Sequence, residues 1–325
     1  MSRDVKKLTD PAIVKLTEIA HAKLNLCLAV HFPPQKGGYH LLDSVFQEIS
    51  LSDFLTFSIV DAHAAQDAIT CTSLGSDVLI SCNVKGLKTT DNLIFRAIDA
   101  LEQTFNTPVC GADEMLIIDV DKHIPAGGGL GGGSSNAAAA IRAYCKICNK
   151  DIADKRAMKV AQNMGADVAF FLHGGTALMC GRGDELVRKL PSFPLPLVLI
   201  GSNKGCNTGA VYRAFDANPT PAPDAEMLAE AMEEYAKEKN PLAKAVASMM
   251  LAKRCQNNLS LGAYKQLPEL EERIRRANAS NNTLCACVTG SGATAFAVCA
   301  NKEAAERFAE EAALWCDWTR VVEAL

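Results

Sequence analysis

The sequence predicts an α+β fold, because segments with strand periodicity and segments with helix periodicity alternate in an irregular order. The chain has 325 residues, of which 49% are hydrophobic and 22% are charged, a composition typical of globular proteins. Prolines at positions 191, 194 and 196 interrupt the pattern and predict a domain boundary there. We therefore expect an N-terminal domain over residues 1–190 and a C-terminal domain over residues 191–325.

The N-terminal half opens with a strand over residues 23–32. Leu24, Leu26 and Leu28 fall on one face of this segment, whereas Lys23 and Asn25 fall on the other. Such strict alternation is typical of a half-buried strand.

The helices of this half are predicted from apolar residues that recur every three or four positions and from residues that commonly cap helices. They cover residues 91–105 (capped by Asp91), 136–148 (capped by Ser134 or Ser135) and 154–164 (ended by Gly165). Strands are predicted over 54–60 and 115–121, and a hairpin-like pair over 166–172 and 176–180.

The C-terminal half has the same mixture of periodicities. The predicted elements are a strand at 197–201, helices within 221–240 and 264–279, strands at 285–289 and 294–299 around a Gly-Ser-Gly turn, a helix at 302–315 and a strand at 318–322.

The charge and composition of the chain exclude several classes of function. The net charge is −4 and no block of lysine and arginine occurs, which argues against a nucleic-acid-binding surface. No apolar run reaches the ~18–20 residues that a membrane-spanning helix needs. The first residues, MSRDVKKLTDP, do not resemble a signal peptide, so we expect a cytoplasmic protein.

The 13 cysteines predict free thiols in a reducing compartment, because they are scattered and odd in number. Cys145 and Cys148 form a lone C-x-x-C, and Cys285 and Cys287 form a C-x-C. A zinc site would need two more ligands at a suitable spacing, so we interpret these cysteines as buried apolar residues and assign no metal ligands.

The segment KHIPAGGGLGGGSSNAAAA, residues 122–140, contains the clearest chemical signal. It fits the dinucleotide-binding pattern G-x-G-x-x-G, but a helix and not a second strand with an acidic end follows it. It also resembles a Walker A loop without its lysine. Backbone amides and a helix N-terminus still favour phosphate, with positive charge supplied by Lys23, Lys122 or a magnesium ion. A flexible linker would lack the strand and helix that flank this loop.

Several segments together resemble the GHMP kinases, a family that includes galactokinase and the homoserine and mevalonate kinases. PAGGGLGGGSSNAAAA resembles the central phosphate-binding motif of that family. The other matching segments, in the family's order, are AHAKLNLCLAV, GGYHLLDSVFQEISLSD, GADVAFFLHGGTAL and VTGSGATAFAVC, and together they span residues 20–299. GGYHLLDSVFQEISLSD is most similar to the branch whose substrate carries a cytidine diphosphate group.

The resemblance implies a fold, an activity and a set of phosphate contacts. The fold would comprise an N-terminal ribosomal protein S5 domain 2-like, ATP-binding domain and a C-terminal ferredoxin-like α/β-plait domain. With ATP and Mg²⁺, such an enzyme phosphorylates the 2-hydroxyl of a methylerythritol unit, in the non-mevalonate route to isoprenoid precursors. The implied ATP-binding residues are Pro125, Ala126, Gly127, Gly128, Gly129, Leu130, Gly131, Gly132, Gly133, Ser134 and Ser135.

The same resemblance implies that Lys23 and Asp167 are catalytic. Phosphoryl transfer depends on positioning and on charge neutralisation, and a hydroxyl nucleophile benefits from a base at its proton. Lys23 would stabilise charge, and Asp167 would act as the base or orient the hydroxyl. Without the resemblance, Lys23 would be a solvated lysine and Asp167 an ordinary turn residue.

Tyr39 and His40 match the family's cytidine-binding pair, with Tyr212 as a second stacking ring and Phe46 lining the same pocket. By pattern alone, Tyr39 and His40 would be an exposed turn pair, and Tyr212 a core residue. The chain departs from the family at His21, where proline is usual, and at Asn258, where aspartate is expected.

Two alternatives remain open from the sequence. The first is another GHMP kinase that acts on mevalonate or on homoserine, which would not need the Tyr39-His40 segment. The second is a nucleotide-binding protein without catalysis, which would not need Lys23 and Asp167. The sequence leaves the oligomeric state undetermined, with a monomer and a homodimer both possible.

Overall fold

The structure, a computed structural model, describes residues 14–35, 37–62, 70–83 and 92–325. Residues 1–13, 36, 63–69 and 84–91 therefore lie outside the described residues, and the predicted cap Asp91 is among them.

The chain forms two compact units whose segments interleave along the sequence. Unit 1 contains residues up to Ala20 together with Asp53–His123 and Gly133–Val168. Unit 2 contains His21–Ser52, Ile124–Gly132 and Ala169–Leu325. These units are defined by contacts and do not test the expected division at residues 190 and 191, which stays a prediction.

Two long paired strands, β1 (Val14–Val30) and β2 (Leu42–Asp61), each contribute to both units. The strand predicted from residue 23 is confirmed, but the prediction that one face is solvated is wrong. Lys23 and Asn25 are only 4% and 2% exposed. The alternation in the sequence reflects a polar network on the second face, described below, and not contact with solvent.

Unit 1 consists of a mixed sheet and helices. Its further elements are β3 (Thr70–Cys71), β4 (Asp77–Cys82), α1 (Leu93–Phe105), β5 (Glu114–Asp121), most of α2 (Gly132–Ile147), α3 (Lys155–Met164) and the start of α4 (Ala166–His173). The strand order is β3-β4-β5-β2, with β4 parallel to β5 and the other pairs antiparallel. Helix α1 is capped by Asn92, whose side chain accepts a hydrogen bond from the Ile94 N–H.

Two predictions about the helices of this region are wrong. Helix α2 begins at Gly132, four residues earlier than predicted, so Ser134 and Ser135 lie inside its first turn and do not cap it. Residues 166–173 form helix α4 and not a strand. The run VAFFL is apolar at every position, and such a run does not reveal whether its period is two or 3.6. The helix at 154–164 and its end at Gly165 are confirmed, with Asp154 as the cap.

Unit 2 adds the remaining strands and helices. They are β6 (Thr176–Cys180), β7 (Glu185–Leu190), β8 (Leu197–Gly201), α5 (Thr208–Ala217), α6 (Ala225–Lys237), α7 (Pro241–Arg254), α8 (Ser260–Gln266), α9 (Pro268–Ala279), β9 (Cys285–Val288), β10 (Ala295–Val298), α10 (Lys302–Ala312) and β11 (Trp318–Val322). In this unit β6 pairs with β2 and with β7. The predicted strand–turn–strand–helix–strand ending is confirmed.

Strands β8 to β11 form an antiparallel sheet in the order β11-β8-β10-β9. One face, with Leu199 and Phe296, joins a core that includes Leu26 of β1 and Leu228 of α6. The other face packs beneath α9 and α10, where Phe308 is fully buried. The sheet is therefore covered on both sides, and the loop between β9 and β10 is held at its edge.

The cysteines are free thiols, as the sequence predicts, but only six of the thirteen are buried, and Cys71 is exposed. Burial raises the pKa of the Cys27 thiol to about 12 and that of Cys145 to about 11. Such thiols stay neutral at physiological pH and pack as small apolar side chains. Among the helices in the described part of the chain, none is both long enough and apolar enough to cross a membrane.

Candidate active site

The glycine-rich loop of unit 2, residues 124–132, has a backbone that only glycine tolerates at several positions. Gly127, Gly129 and Gly131 have φ angles of +72°, +76° and +72°. A Cβ on Gly131 would lie 2.9 Å from the Phe171 ring and 3.2 Å from Cγ of Lys23. The loop is thus a packed, fixed structure beside Lys23, as a phosphate cradle requires, and not a flexible linker.

A second glycine loop, residues 289–292, backs the first. A Cβ on Gly129 would lie 2.8 Å from the Thr289 carbonyl oxygen and 2.9 Å from that of Gly292. The Thr294 N–H donates to the Gly128 carbonyl at 3.2 Å, and the Thr294 Oγ1 is buried without a hydrogen-bond partner. The two glycine loops therefore meet backbone to backbone within unit 2.

Helix α2 starts at the end of the first loop. Its first residues, Gly132 to Ser135, carry the N–H groups that no intrahelical carbonyl satisfies. These amides and the partial positive charge of the helix end favour a phosphate group. Gly131, which precedes the helix, has no room for a capping side chain. The serines that the sequence predicts as caps, Ser134 and Ser135, lie within the first turn of the helix.

Substituting Gly129 by alanine is expected to weaken both the fold and ATP binding. The positive φ alone costs about 1–3 kcal/mol for a residue with a Cβ, and the contacts with the Thr289 and Gly292 oxygens add to it. Thermal unfolding and a nucleotide titration would measure the two effects. Gly133→Ala is the control for stability, because its φ is not positive and the nearest neighbour of its Cβ would be Leu93 at 3.7 Å. If Gly129→Ala were as stable as the wild type, the positive φ and the close contacts at this position would not restrict the residue there to glycine.

Lys23 lies at the centre of a buried polar network in unit 2. Its Nζ donates to Asn25 Oδ1 at 2.7 Å, and its Nζ also lies 5.2 Å from the centre of the Phe46 ring. The Asn25 amide in turn donates to Ser44 Oγ at 2.8 Å, and the Asn25 N–H donates to Thr289 Oγ1 at 3.0 Å. The Lys23 backbone N–H donates to the Leu130 carbonyl at 3.0 Å, which ties β1 to the glycine loop.

Asn25 is a site residue that the sequence interpretation missed. Its position two residues after Lys23 places both side chains on one face of the strand, which is a signal that the sequence does contain. Phe46, by contrast, is buried and stacks on Phe170 with ring centres 4.8 Å apart. It therefore lies beneath Lys23, and its predicted contact with substrate stays a prediction.

Asp167 lies in unit 1, in the first turn of α4, and is partly buried. A carboxylate at this end of a helix is stabilised by the helix dipole. The strand predicted over residues 166–172 is wrong here, and Asp167 lies near the start of a helix.

Lys122, the other lysine considered for phosphate, has a partner within unit 1. Its Nζ lies 2.6 Å from Oδ2 of Asp53, a carboxylate whose side chain is 0% exposed. The second oxygen of Asp53 accepts the His123 N–H at 2.7 Å. Lys122 therefore neutralises a buried carboxylate at the end of β5.

The predicted cytidine-binding residues come together in part. His40 is buried, its ring centre lies 5.3 Å from that of Tyr212, and its Nδ1 donates to the His31 carbonyl at 2.8 Å. Its Nε2 lies 2.9 Å from Asp216 Oδ1, within ion-pair distance but without hydrogen-bond alignment. Tyr39 is 64% exposed, with the Arg182 guanidinium 5.7 Å from its ring centre. The structure thus brings His40 and Tyr212 together and leaves the Tyr39 ring open to solvent.

The two departures from the family pattern have structural partners. His21 Nδ1 and Ser52 Oγ are 2.7 Å apart. The Asn258 side chain accepts the Val30 N–H and donates to the Val30 carbonyl, both at 2.9 Å. An amide can serve both backbone groups, whereas an ionised aspartate has no donor for the carbonyl.

Comparisons with known proteins agree with this geometry. Residues 92–175 match the family described as GHMP kinases N terminal domain, and residues 221–316 match GHMP kinases C terminal. A 4-diphosphocytidyl-2-C-methyl-D-erythritol kinase of Desulfitobacterium hafniense is 32% identical over 297 residues, which cover 91% of this chain and 90% of that protein. The kinase of the same description from Pelotomaculum thermopropionicum is 34% identical over 300 residues, 90% of this chain and 92% of that protein.

Solved structures show the same relationship. A crystal structure of 4-(cytidine 5'-diphospho)-2C-methyl-D-erythritol kinase matches with a TM-score of 0.70 and 28% identity, over 95% of this chain and 99% of that one. A homoserine kinase from Cytophaga hutchinsonii matches with a TM-score of 0.64 and 16% identity, over 98% of this chain and 97% of that one. At that identity the second similarity concerns the fold alone.

Proposed function

We propose that this chain, which belongs to the GHMP kinase family, transfers the γ-phosphoryl group of ATP to the 2-hydroxyl of 4-diphosphocytidyl-2-C-methyl-D-erythritol. One observation carries the proposal: the phosphate-type glycine loop packs directly against the buried, hydrogen-bonded Lys23 in unit 2. The relatives that cover about nine tenths of the chain bear the name of this kinase. The mevalonate and homoserine alternatives rest on similarities of 16% identity or less.

The proposed reaction forms one bond and breaks another. The oxygen of the 2-hydroxyl attacks the γ-phosphorus, the bond from that phosphorus to the β,γ-bridging oxygen breaks, and ADP leaves. Asp167 accepts or orients the hydroxyl proton, while the Lys23 ammonium neutralises charge that develops on the transferring group. Asp167 is assigned by the resemblance, and it lies in the first turn of α4.

ATP is proposed to bind with its phosphates against the loop amides and the N-terminus of α2, next to Ser134 and Ser135. The described residues contain no group of three or more His, Cys, Asp or Glu side chains that could hold a metal ion. Mg²⁺ commonly binds through substrate phosphates, water and one or two protein oxygens. We therefore propose that the ion arrives with ATP. When bound, Mg²⁺ would neutralise phosphate charge.

The finer description of the fold is also a proposal. The antiparallel order β11-β8-β10-β9, with β8 first and β11 last in the chain, supports a ferredoxin-like α/β plait in the C-terminal domain. The mixed sheet of unit 1, with α1 and α2, supports the ribosomal protein S5 domain 2-like assignment less directly.

A direct assay tests the function. The purified protein should consume ATP and phosphorylate 4-diphosphocytidyl-2-C-methylerythritol, with mevalonate and homoserine as control acceptors. Phosphorylation of a control acceptor in place of the cytidyl substrate would transfer the assignment to another GHMP kinase. Turnover with none of the three acceptors would contradict the proposal.

Removing the Tyr39 ring is expected to raise KM for the cytidyl substrate and leave KM for ATP nearly unchanged. Tyr39 is exposed and able to stack on a base, and such stacking contributes about 1–3 kcal/mol per base, which is about fivefold to 150-fold in affinity. Initial rates of Tyr39→Ala, with each substrate varied in turn, would measure both constants. Tyr39→Phe is the matched control because it keeps the ring. Equal increases in the two constants would count against a stacking role.

A further inference from the structure

We infer that Asn257, in the segment between α7 and α8, is a positioning residue that holds the second glycine loop against the phosphate-binding loop and thereby sets the affinity for ATP. The inference rests on the proposed function and assigns part of its ATP affinity to a residue outside the glycine loops. The contacts that carry it all lie within unit 2.

The Asn257 amide holds the second glycine loop at two carbonyls. Its Nδ2 donates to the Val288 carbonyl at 2.9 Å and to the Gly290 carbonyl at 2.8 Å. Its Oδ1 accepts the Leu259 N–H at 2.9 Å, and the residue is only 9% exposed. Both amide N–H groups and the oxygen are thus in use, which fixes the orientation of the side chain.

The loop held by Asn257 supports the phosphate-binding loop from behind. A Cβ on Gly290 would lie 3.2 Å from the Gly129 carbonyl oxygen, and the Cβ position of Gly129 is limited by Thr289 and Gly292. A displacement of residues 288–290 therefore changes the space available to Gly129, whose φ is +76°. Since the first loop binds phosphate through its backbone, its affinity depends on this support.

The segment that carries Asn257 is itself fixed to β1. The Leu28 N–H donates to the Gln256 carbonyl at 2.8 Å, and the Asn258 N–H donates to the Leu28 carbonyl at 3.3 Å. The Asn258 side chain then binds Val30 and, through Nδ2 at 3.4 Å, the Thr220 carbonyl. Neighbouring asparagines therefore hold different structures: Asn257 holds the second glycine loop, and Asn258 holds the end of β1.

The experiment compares Asn257→Asp with Asn258→Asp. Each change replaces an amide that donates to two carbonyls by an isosteric carboxylate that donates to none. Asn257→Asp is expected to raise KM for ATP, and Kd for ATP in a titration without acceptor, by about tenfold, the effect of one or two lost hydrogen bonds. Its KM for the cytidyl substrate should change by less than about twofold. Asn258→Asp should leave KM and Kd for ATP within about twofold of the wild type.

Several outcomes would overturn the inference. Unchanged ATP constants in Asn257→Asp, or equal changes in ATP affinity in the two variants, would show that Asn257 does not act through the glycine loop. Asn257→Ser, which removes the amide without adding charge, replaces Asn257→Asp if that protein does not fold. A wild type that binds ATP but phosphorylates no acceptor would contradict the proposed function alone, since the ATP titration would still test Asn257.

Discussion

Lys23→Ala is expected to lower kcat by about a thousandfold while ATP still binds, the magnitude found when a fixed stabilising donor is removed from a transition state. Lys23 is 4% exposed, and its Nζ is held by Asn25 next to the glycine loop. An ammonium fixed in a site that excludes water stabilises developing charge more strongly than a solvated one. Pre-steady-state rates at saturating ATP and an ATP titration would measure the two effects.

Controls separate the loss of charge from a loss of structure. Lys23→Arg keeps a positive charge but brings a larger, planar group into a buried site, so we expect it to recover little activity. Lys204→Ala removes a lysine whose side chain is 73% exposed and paired with Glu269, and it should leave kcat unchanged. Melting temperatures would show whether each variant is folded. Full turnover by a folded Lys23→Ala protein would exclude Lys23 from the chemistry.

The sequence predicts the fixed glycine loop better than it predicts the helices that follow that loop. The residue types predict the glycine loop, because its positions have narrow physical requirements, whereas the catalytic role of Lys23 is implied by the resemblance to the GHMP kinases and stays a prediction. Positive φ at Gly129 and Gly131 admits almost only glycine. A single sequence shows this constraint as a run of glycines. The structure confirms that the run forms a fixed loop against β1.

The errors share one physical cause, which is tertiary packing that a local pattern does not contain. Lys23 and Asn25 resemble a solvated strand face, but the network through Ser44 and Thr289, residues far away in the sequence, buries them. The apolar run from Val168 to Leu172 has no polar positions to reveal its period, and it forms a helix in which Val168 to Phe171 are buried. The role of Asn257 was not predicted for the same reason, since its partners lie about thirty residues away.

Asp167→Asn is expected to lower kcat by about 10²–10⁴-fold, the range for a general base, with little change in ATP affinity. Asparagine has nearly the same shape and still accepts hydrogen bonds through its oxygen, but it does not take up the proton of the attacking hydroxyl. The position of Asp167 in the first turn of α4 makes the substitution mild for the fold, because loss of a charge there costs only about 0.3–1 kcal/mol. The rate of phosphoryl transfer in a single turnover, measured across pH, would test the loss.

Asp154→Asn provides the matched control in the same unit. Asp154 caps α3 by accepting the Arg156 N–H at 2.8 Å, and asparagine caps a helix as well as aspartate does. Its kcat should therefore equal that of the wild type, whereas the kcat of Asp167→Asn should fall by about 10²–10⁴-fold. A folded Asp167→Asn protein that retains full turnover would mean that water or the phosphoryl group itself takes the proton. Lys23 would then act by charge neutralisation without a protein base, as a loose transition state for phosphoryl transfer permits.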